Sequence, residues 1–478
     1  MKNQTTFYWH DYETWGATPS RDRPSQFAGV RTDQDFNIIG KPLCIYCRPC
    51  PDVLPHPDAC LITGITPQKA LANGLSEAAF IAKIHEEMSQ PGTCNVGFNS
   101  LRFDDEVTRF ALWRNFYDPY EREWKNGNSR WDIIDMLRLT YALRPEGIVW
   151  PTRADDPSLP SFKLEALSQA NGIVHEAAHD AMSDVYATIG IAKLIKAKQP
   201  KLFDYVFEMR DKNKVAALLN WREQKPVLYV SSMIPASQGC LTLLMPIAQH
   251  PTQKNVVLCV DLLRSPDDLL NRGAAELKSL LYARREDLPQ GQERPPIVSI
   301  KTNQCPVIAT TQLLDEASQR RLGIDMQAAR QHWRQLHACV GLAQKLEDMF
   351  REERIFDTRD PEQSLYSGFI SDHDKPTMQQ VRQASGQELA ETTFTFYDKR
   401  LQEMLFRYRA RNFPESLSEQ DRLQWSDFCM QRLSEGMYPG DLTLEAFHDA
   451  IESRWHNASD AQRKILQALA NYGDELVC

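Results

Sequence analysis

Phe7-Tyr8-Trp9-His10-Asp11-Tyr12-Glu13-Thr14 decides how this 478-residue chain is read. The apolar and aromatic run 7–10 predicts a short strand, and Asp11 and Glu13 stand two residues apart at its end. A strand's period of two puts both carboxylates on one face, about 6.5–7 Å apart along the backbone, so their tips can converge on one ion. Carboxylates that close repel each other unless a cation lies between them. Asp-x-Glu also ends ordinary polar strands, so the pair needs company before it means a site.

Two further stretches supply that company. In Gly97-Phe98-Asn99-Ser100-Leu101-Arg102-Phe103-Asp104 a strand ends at Asn99, a short loop follows, and Asp104 opens a helix. Acidic residues in a first helical turn also complement the macrodipole, so Asp104, Asp105 and Glu106 taken alone carry a bland reading too. In His179-Asp180-Ala181-Met182-Ser183-Asp184, Asp180 suits an N-cap, with His179 just outside the helix and Asp184 within its first turns. Residues five apart on a helix point about 140° away from each other, so His179 reaches the side of Asp184 only from the entry loop. That arrangement suits a mobile general base above a rigid metal ligand.

Outward from these pieces, residues 1–198 alternate strand and helix signals and read as α/β. Strands are expected at 28–32, 42–47 and 93–99, and helices at 77–88, 104–117, 133–143, 163–171 and 181–198, with Pro200 closing the last. From about 200 to 353 the pattern becomes β-rich, with strands near 226–231, 241–248, 255–261 and 297–300 of a small barrel or sandwich and helices near 265–283 and 326–353. Segment 354–364 reads as a linker, and the remainder is helical, for example 397–412 and 459–476. A chain this long exceeds one hydrophobic core, so two or three domains are expected.

Composition is ordinary for a globular protein, with 42% apolar and 25% charged residues. No apolar run approaches the roughly 20 residues that span a bilayer, and no cleavable apolar segment opens the chain. Eleven scattered cysteines read as reduced thiols of a soluble cytoplasmic protein. The net charge of −9 argues against nonspecific coating of duplexes, so a polyanion must be held by a local basic track or by metals.

Together the three pieces (Asp-x-Glu, Asn-x3-Phe-Asp, and His-x4-Asp before a helix) are the signature of the DEDDh exonucleases, here Asp11, Glu13, Asp104, His179 and Asp184. Hard oxygen ligands suit Mg²⁺ or Mn²⁺, two ions activate water and stabilise the leaving 3′-oxygen, and a near-neutral His accepts the water's proton. The chain resembles the bacterial exonuclease I family more closely still. His10-Asp11-Tyr12-Glu13-Thr14, Phe103-Asp104-Asp105-Glu106-Val107-Thr108-Arg109, Asn128-Ser129-Arg130-Trp131-Asp132 and Ala142-Leu143-Arg144-Pro145-Glu146-Gly147 carry the likeness. His179-Asp180-Ala181-Met182 and Tyr408-Arg409-Ala410-Arg411-Asn412-Phe413-Pro414 extend it toward the C-terminus.

The resemblance implies a ribonuclease H-like exonuclease domain (1–198), an SH3-like β-barrel domain (199–353) and a helical C-terminal domain (357–478). It implies a processive 3′→5′ exonuclease that releases nucleoside 5′-monophosphates from single-stranded DNA, with two Mg²⁺ replaceable by Mn²⁺, serving DNA repair and recombination. It also implies a monomer and a partner in single-strand DNA-binding protein, through that partner's acidic tail. Other readings are a DEDDh nuclease acting on RNA or proofreading, or an inactive single-strand binder; the presence of all five chemical residues counts against the last.

A single-strand channel needs stacking aromatics and phosphate-reading cations. Residues 101–153 hold nine basic and nine acidic side chains, so they form no basic patch by composition. By similarity to the family, Glu13, Arg109, Tyr120, Trp124, Arg138 and Lys163 are the expected substrate contacts. Lys399, Arg400, Arg407, Arg409 and Arg411 form a second basic stripe, either lining the channel or, as the default, a solvated helix face. Cys44-x2-Cys47-x2-Cys50 mimics part of an iron–sulfur run, but three-residue spacing on a strand sends Cys44 and Cys47 to opposite faces, which favours packing.

Overall fold

The computed structural model describes residues 5–175, 180–352 and 360–476. It forms two compact units, one of Met1–Ser129, His175–Tyr186 and Ile355–Cys478, the other of Arg130–Val174 and Ala187–Arg354. No helix among the described residues is long and apolar enough to cross a membrane.

In the first unit four strands run in the order Leu43–Tyr46, Pro24–Thr32, Thr6–Thr14, Thr93–Gly97. Thr6–Thr14 is central: it pairs antiparallel with Pro24–Thr32, setting Asp11 against Ala28 and Glu13 against Gln26, and parallel with Thr93–Gly97, setting Trp9 against Val96. Both faces of this strand are covered, Tyr8 by Phe80 and Ile84 and Phe7 and Trp9 by Phe36, so the aromatics of 7–9 are nearly water-free. The expected strand 7–10 therefore extends through Asp11 and Glu13, and the strand expected at 28–32 begins at Pro24. On one side Tyr8, Tyr12 and Phe27 pack against Phe80, Ile84 and Met88 of the helix Glu77–Met88 and Val107 and Ala111 of the helix Asp104–Arg114.

The C-terminal helices belong to this same unit. Phe110, Trp113 and Phe116 share a core with Leu401, Met404 and Tyr408 of the helix Lys399–Asn412, and Trp15 shares one with Phe447, Leu466 and Leu469. Asp357 and Arg359 of the expected linker lie outside the described residues. Asp360 and Glu362, read as linker from their polarity, are buried instead, each held by arginines.

The second unit is built on an antiparallel sheet ordered Ile308–Thr310, Val227–Val230, Leu241–Gln249, Val256–Asp261, Ile297–Lys301. Val227, Leu244, Val257, Cys259, Ile300 and Ile308 meet Val215 of the preceding helix Lys212–Leu218, and Leu219 at its end, in one core. Pro246 sits where the Leu241–Gln249 ladder shifts register, as a residue without an N–H must inside a sheet. The three-residue strand Ile308–Thr310 is too short to announce itself by alternation. Pro200 ends one helix and opens another: Ala181–Lys198 stops before it, and it occupies the first turn of Pro200–Glu208, where its missing N–H costs nothing.

Candidate active site

Asp11 and Glu13 project from the central strand as the sequence predicts. Asp184 joins them from the first turn of Ala181–Lys198, whose start is fixed by the Asp180 side chain accepting the Ser183 N–H at 3.2 Å. Carboxylate oxygens of Asp11, Glu13 and Asp184 lie within 4.8 Å of one another, and among the described residues no other trio of such side chains comes as close. Asp104 opens its helix after a turn in which Asn99 takes a left-handed conformation, φ 62°. Its Oδ1 accepts the N–H of Tyr12, the residue between the two strand carboxylates, at 3.0 Å. Asp104 is thus tied to the strand that carries Asp11 and Glu13 and does more than complement a helix dipole.

The electrostatics match that geometry. Burial, then the charges of Asp104, Glu13 and Asp184, holds the Asp11 carboxyl well above its ordinary range. Burial, then Asp184 and Asp104, pushes Glu13 up to about 8. Four acids that destabilise one another's ionised forms, presenting hard oxygens from a strand and two helix starts, fit a divalent cation, which removes the repulsion. His179 lies outside the described residues. A second histidine that sequence reasoning missed, His175, approaches Asp184 Oδ1 to 2.5 Å through Nε2. Its only sequence signal is that it stands shortly before His179 in the sequence.

The expected substrate contacts differ in how open they are. Trp124 is 63% exposed, free to present a ring face, and Tyr120 is half-buried under the Arg109 guanidinium at 5.4 Å. Arg109 itself is buried among Glu123, Glu106 and Tyr366. In the second unit Arg138 pairs with Asp135 and lies over the Phe162 ring, and the exposed Lys163 precedes the helix Leu164–Ala170.

The second basic stripe departs from both expectations for it. Arg407 bonds Asp360 at 2.8 Å, Arg411 bonds Asp52 at 2.6 Å and also Glu362, and the side chain of each arginine is only 5% exposed. Arg400 and Arg409 pair with Asp398 and Asp421, leaving Lys399 exposed. These charges hold the helix in place; Asp360 and Asp52, the acids that face Arg407 and Arg411, lie 47 and 359 positions away, so periodicity alone could not reveal the burial. Of the cysteine run, Cys44 is exposed while Cys47 and Cys50 are buried, and Cys47 packs in the core beneath the sheet.

Fold and site define a carboxylate-centred exonuclease of ribonuclease H-like architecture. The model of a family described as Exonuclease matches residues 8–192, that of the Exonuclease I SH3-like domain 210–352, and that of the Exonuclease I C-terminal domain 359–476. Exodeoxyribonuclease I of Haemophilus influenzae is 43% identical over 479 residues, covering all of both chains. Exonuclease I of Methylocaldum szegediense superposes with a TM-score of 0.95 at 45% identity, over 99% of this chain and 100% of that one. The zinc-bound complex of Escherichia coli exonuclease I with single-stranded DNA superposes at 0.93 with 43% identity, again over 99% and 100%. The chain belongs to the exodeoxyribonuclease I family and is a nuclease hydrolase, with an exonuclease domain, an SH3-like domain and a helical C-terminal domain in that order.

Proposed function

We propose that the protein removes nucleoside 5′-monophosphates processively from the 3′ end of single-stranded DNA, using two Mg²⁺ ions for which Mn²⁺ can substitute. The observation that carries this reading is the knot of mutually repelling acids in a chain similar from end to end to a nuclease complexed with single-stranded DNA. Asp11, Glu13, Asp104 and Asp184 are the residues that would hold the ions. Bound there, a pair of divalent cations supplies Lewis-acid polarisation of the phosphate and neutralises charge at the leaving oxygen. His179 takes a proton from the attacking water as its oxygen bonds to phosphorus, the P–O3′ bond breaks, and the shortened strand's 3′-oxygen is protonated.

Glu13, Arg109, Tyr120, Trp124, Arg138 and Lys163 orient the strand, the aromatics by stacking, which every base tolerates. We assign 1–198, 199–353 and 357–478 to the nuclease, SH3-like and helical domains. The family likeness further supports a cytoplasmic monomer acting in repair and recombination that engages the acidic tail of single-strand DNA-binding protein. Incubation of 3′-labelled single-stranded DNA with Mg²⁺, beside an RNA oligonucleotide, tests the reading. Release of labelled mononucleotide from DNA is expected; no release, or faster release from RNA, overturns it.

A further inference from the structure

Arg109 is the expected phosphate contact nearest the acidic cluster in sequence, yet its guanidinium is already engaged. Nε donates to Glu123 Oε1 at 2.8 Å and Nη2 to Glu123 Oε2 at 3.0 Å, a two-pronged fork. Nη1 donates to Glu106 Oε1 at 2.5 Å and to the Tyr366 hydroxyl at 3.2 Å. Only one N–H of the five is left over from these bonds. The two pairs place two carboxylates against one cation, and Arg122, 3.9 Å from Glu123, is itself paired with Asp105 at 2.8 Å, so an approaching phosphate meets a locally negative group. The side chains of Arg109 and Glu123 are 7% and 10% exposed, which keeps water and salt from screening the pair.

The geometry points to Glu123 as an internal competitor for DNA phosphate, a residue that sets how tightly the enzyme grips its strand. Fork geometry is the form in which arginine takes either a carboxylate or a phosphate, so the two ligands are alternatives at the same edge. Strand binding at Arg109 then exchanges carboxylate for phosphate. Because the released carboxylate regains counterions from solution, the exchange blunts the salt dependence that a free arginine would bring. Glu121, two residues away on the same turn, provides the contrast: it pairs with Lys125 at 2.7 Å and Lys375 at 3.5 Å.

This inference rests on the single-stranded DNA reading, and its test separates the two. Fluorescence anisotropy of labelled oligothymidylate, in EDTA to prevent hydrolysis and over a series of salt concentrations, is compared for wild type, Glu123→Gln and Glu121→Gln. Glu123→Gln should bind about fivefold tighter. Its log–log salt slope should be steeper by about 0.7, the share of one phosphate contact on a single strand. Glu121→Gln removes the same charge from the same turn and should leave the slope unchanged. In an Arg109→Gln background the Glu123 substitution should have no effect. If Glu123→Gln proves unfolded by circular dichroism, Glu123→Asp, which cannot span both prongs, should shift affinity and slope in the same direction. Unchanged or weaker binding by the folded Glu123 variant, or an equal change in Glu121→Gln, overturns the inference alone. Failure of the wild type to bind single-stranded DNA removes the underlying reading, and the inference with it.

Discussion

The acidic cluster on the central strand and the ionic network beneath the C-terminal helices are both made of carboxylates withdrawn from water, and they sit in the same unit. In the network, Asp52 faces Arg411 and Arg432, Glu77 faces Arg23 and Arg114, and Glu362 faces Arg23 and Arg411. Burial pushes these acids up, but the arginines win and hold Asp52, Glu77 and Glu362 below the usual carboxylate range. In the cluster the neighbours are other acids, burial and repulsion add, and Asp11 and Glu13 go up. One region brings its own counter-charge and becomes structure; the other leaves its charge unmatched by the protein, which is what the proposed site requires.

Substitutions in the two regions should therefore have opposite signatures. The largest effect is expected for Asp11→Ala, which should reduce turnover to background while leaving single-strand binding in EDTA intact; wild-type turnover would show the cluster is not the site. His179→Ala should lose about 10²–10⁴ in rate yet keep metal binding, and an unchanged pH–rate profile would reject it as the base. In the network, Arg411→Met should cost about 3–5 kcal/mol in urea unfolding, because it strips a partner from two buried acids. A cost under ~1 kcal/mol would mean the network is dispensable.

The smallest effect has the opposite sign. Glu13 ionises at about 8 in the folded chain against an ordinary value of 4.5. Its folded-state pKa is raised, so the metal-free fold is penalised in full above about pH 8, and the penalty shrinks as pH falls toward 4.5. Glu13→Gln should thus raise the Tm of the metal-free protein at pH 8–9 while abolishing activity, with no gain at pH 4. A lower Tm at pH 8–9 would mean Glu13 is stabilised by contacts and not by a missing cation.

Much of the cluster was legible because its elements are local. Two residues on a strand, an acid at a helix start and an N-capped helix each declare themselves within a few positions, and Asp11, Glu13 and Asp184 do meet. The network was not legible, because several of its pairs join residues hundreds of positions apart, Asp52 with Arg411 and Arg23 with Glu362 among them. An arginine on a helix reads as solvated unless its distant acid is known, and Asp360 and Glu362 read as linker for the same reason. The length of the central strand past His10 was less plain, since the polar residues Asp11 and Glu13 are held in strand geometry there by antiparallel pairing with Ala28 and Gln26.

The most direct test is calorimetric titration of the metal-free protein with Mn²⁺ at pH 7.5 in two buffers of different ionisation enthalpy, for wild type and for Asp11→Asn/Glu13→Gln. The account predicts wild-type binding with proton release, seen as a heat that changes with buffer, and loss of that binding in the double variant. Equal binding by the two proteins, or binding by the wild type with no proton released, would contradict it.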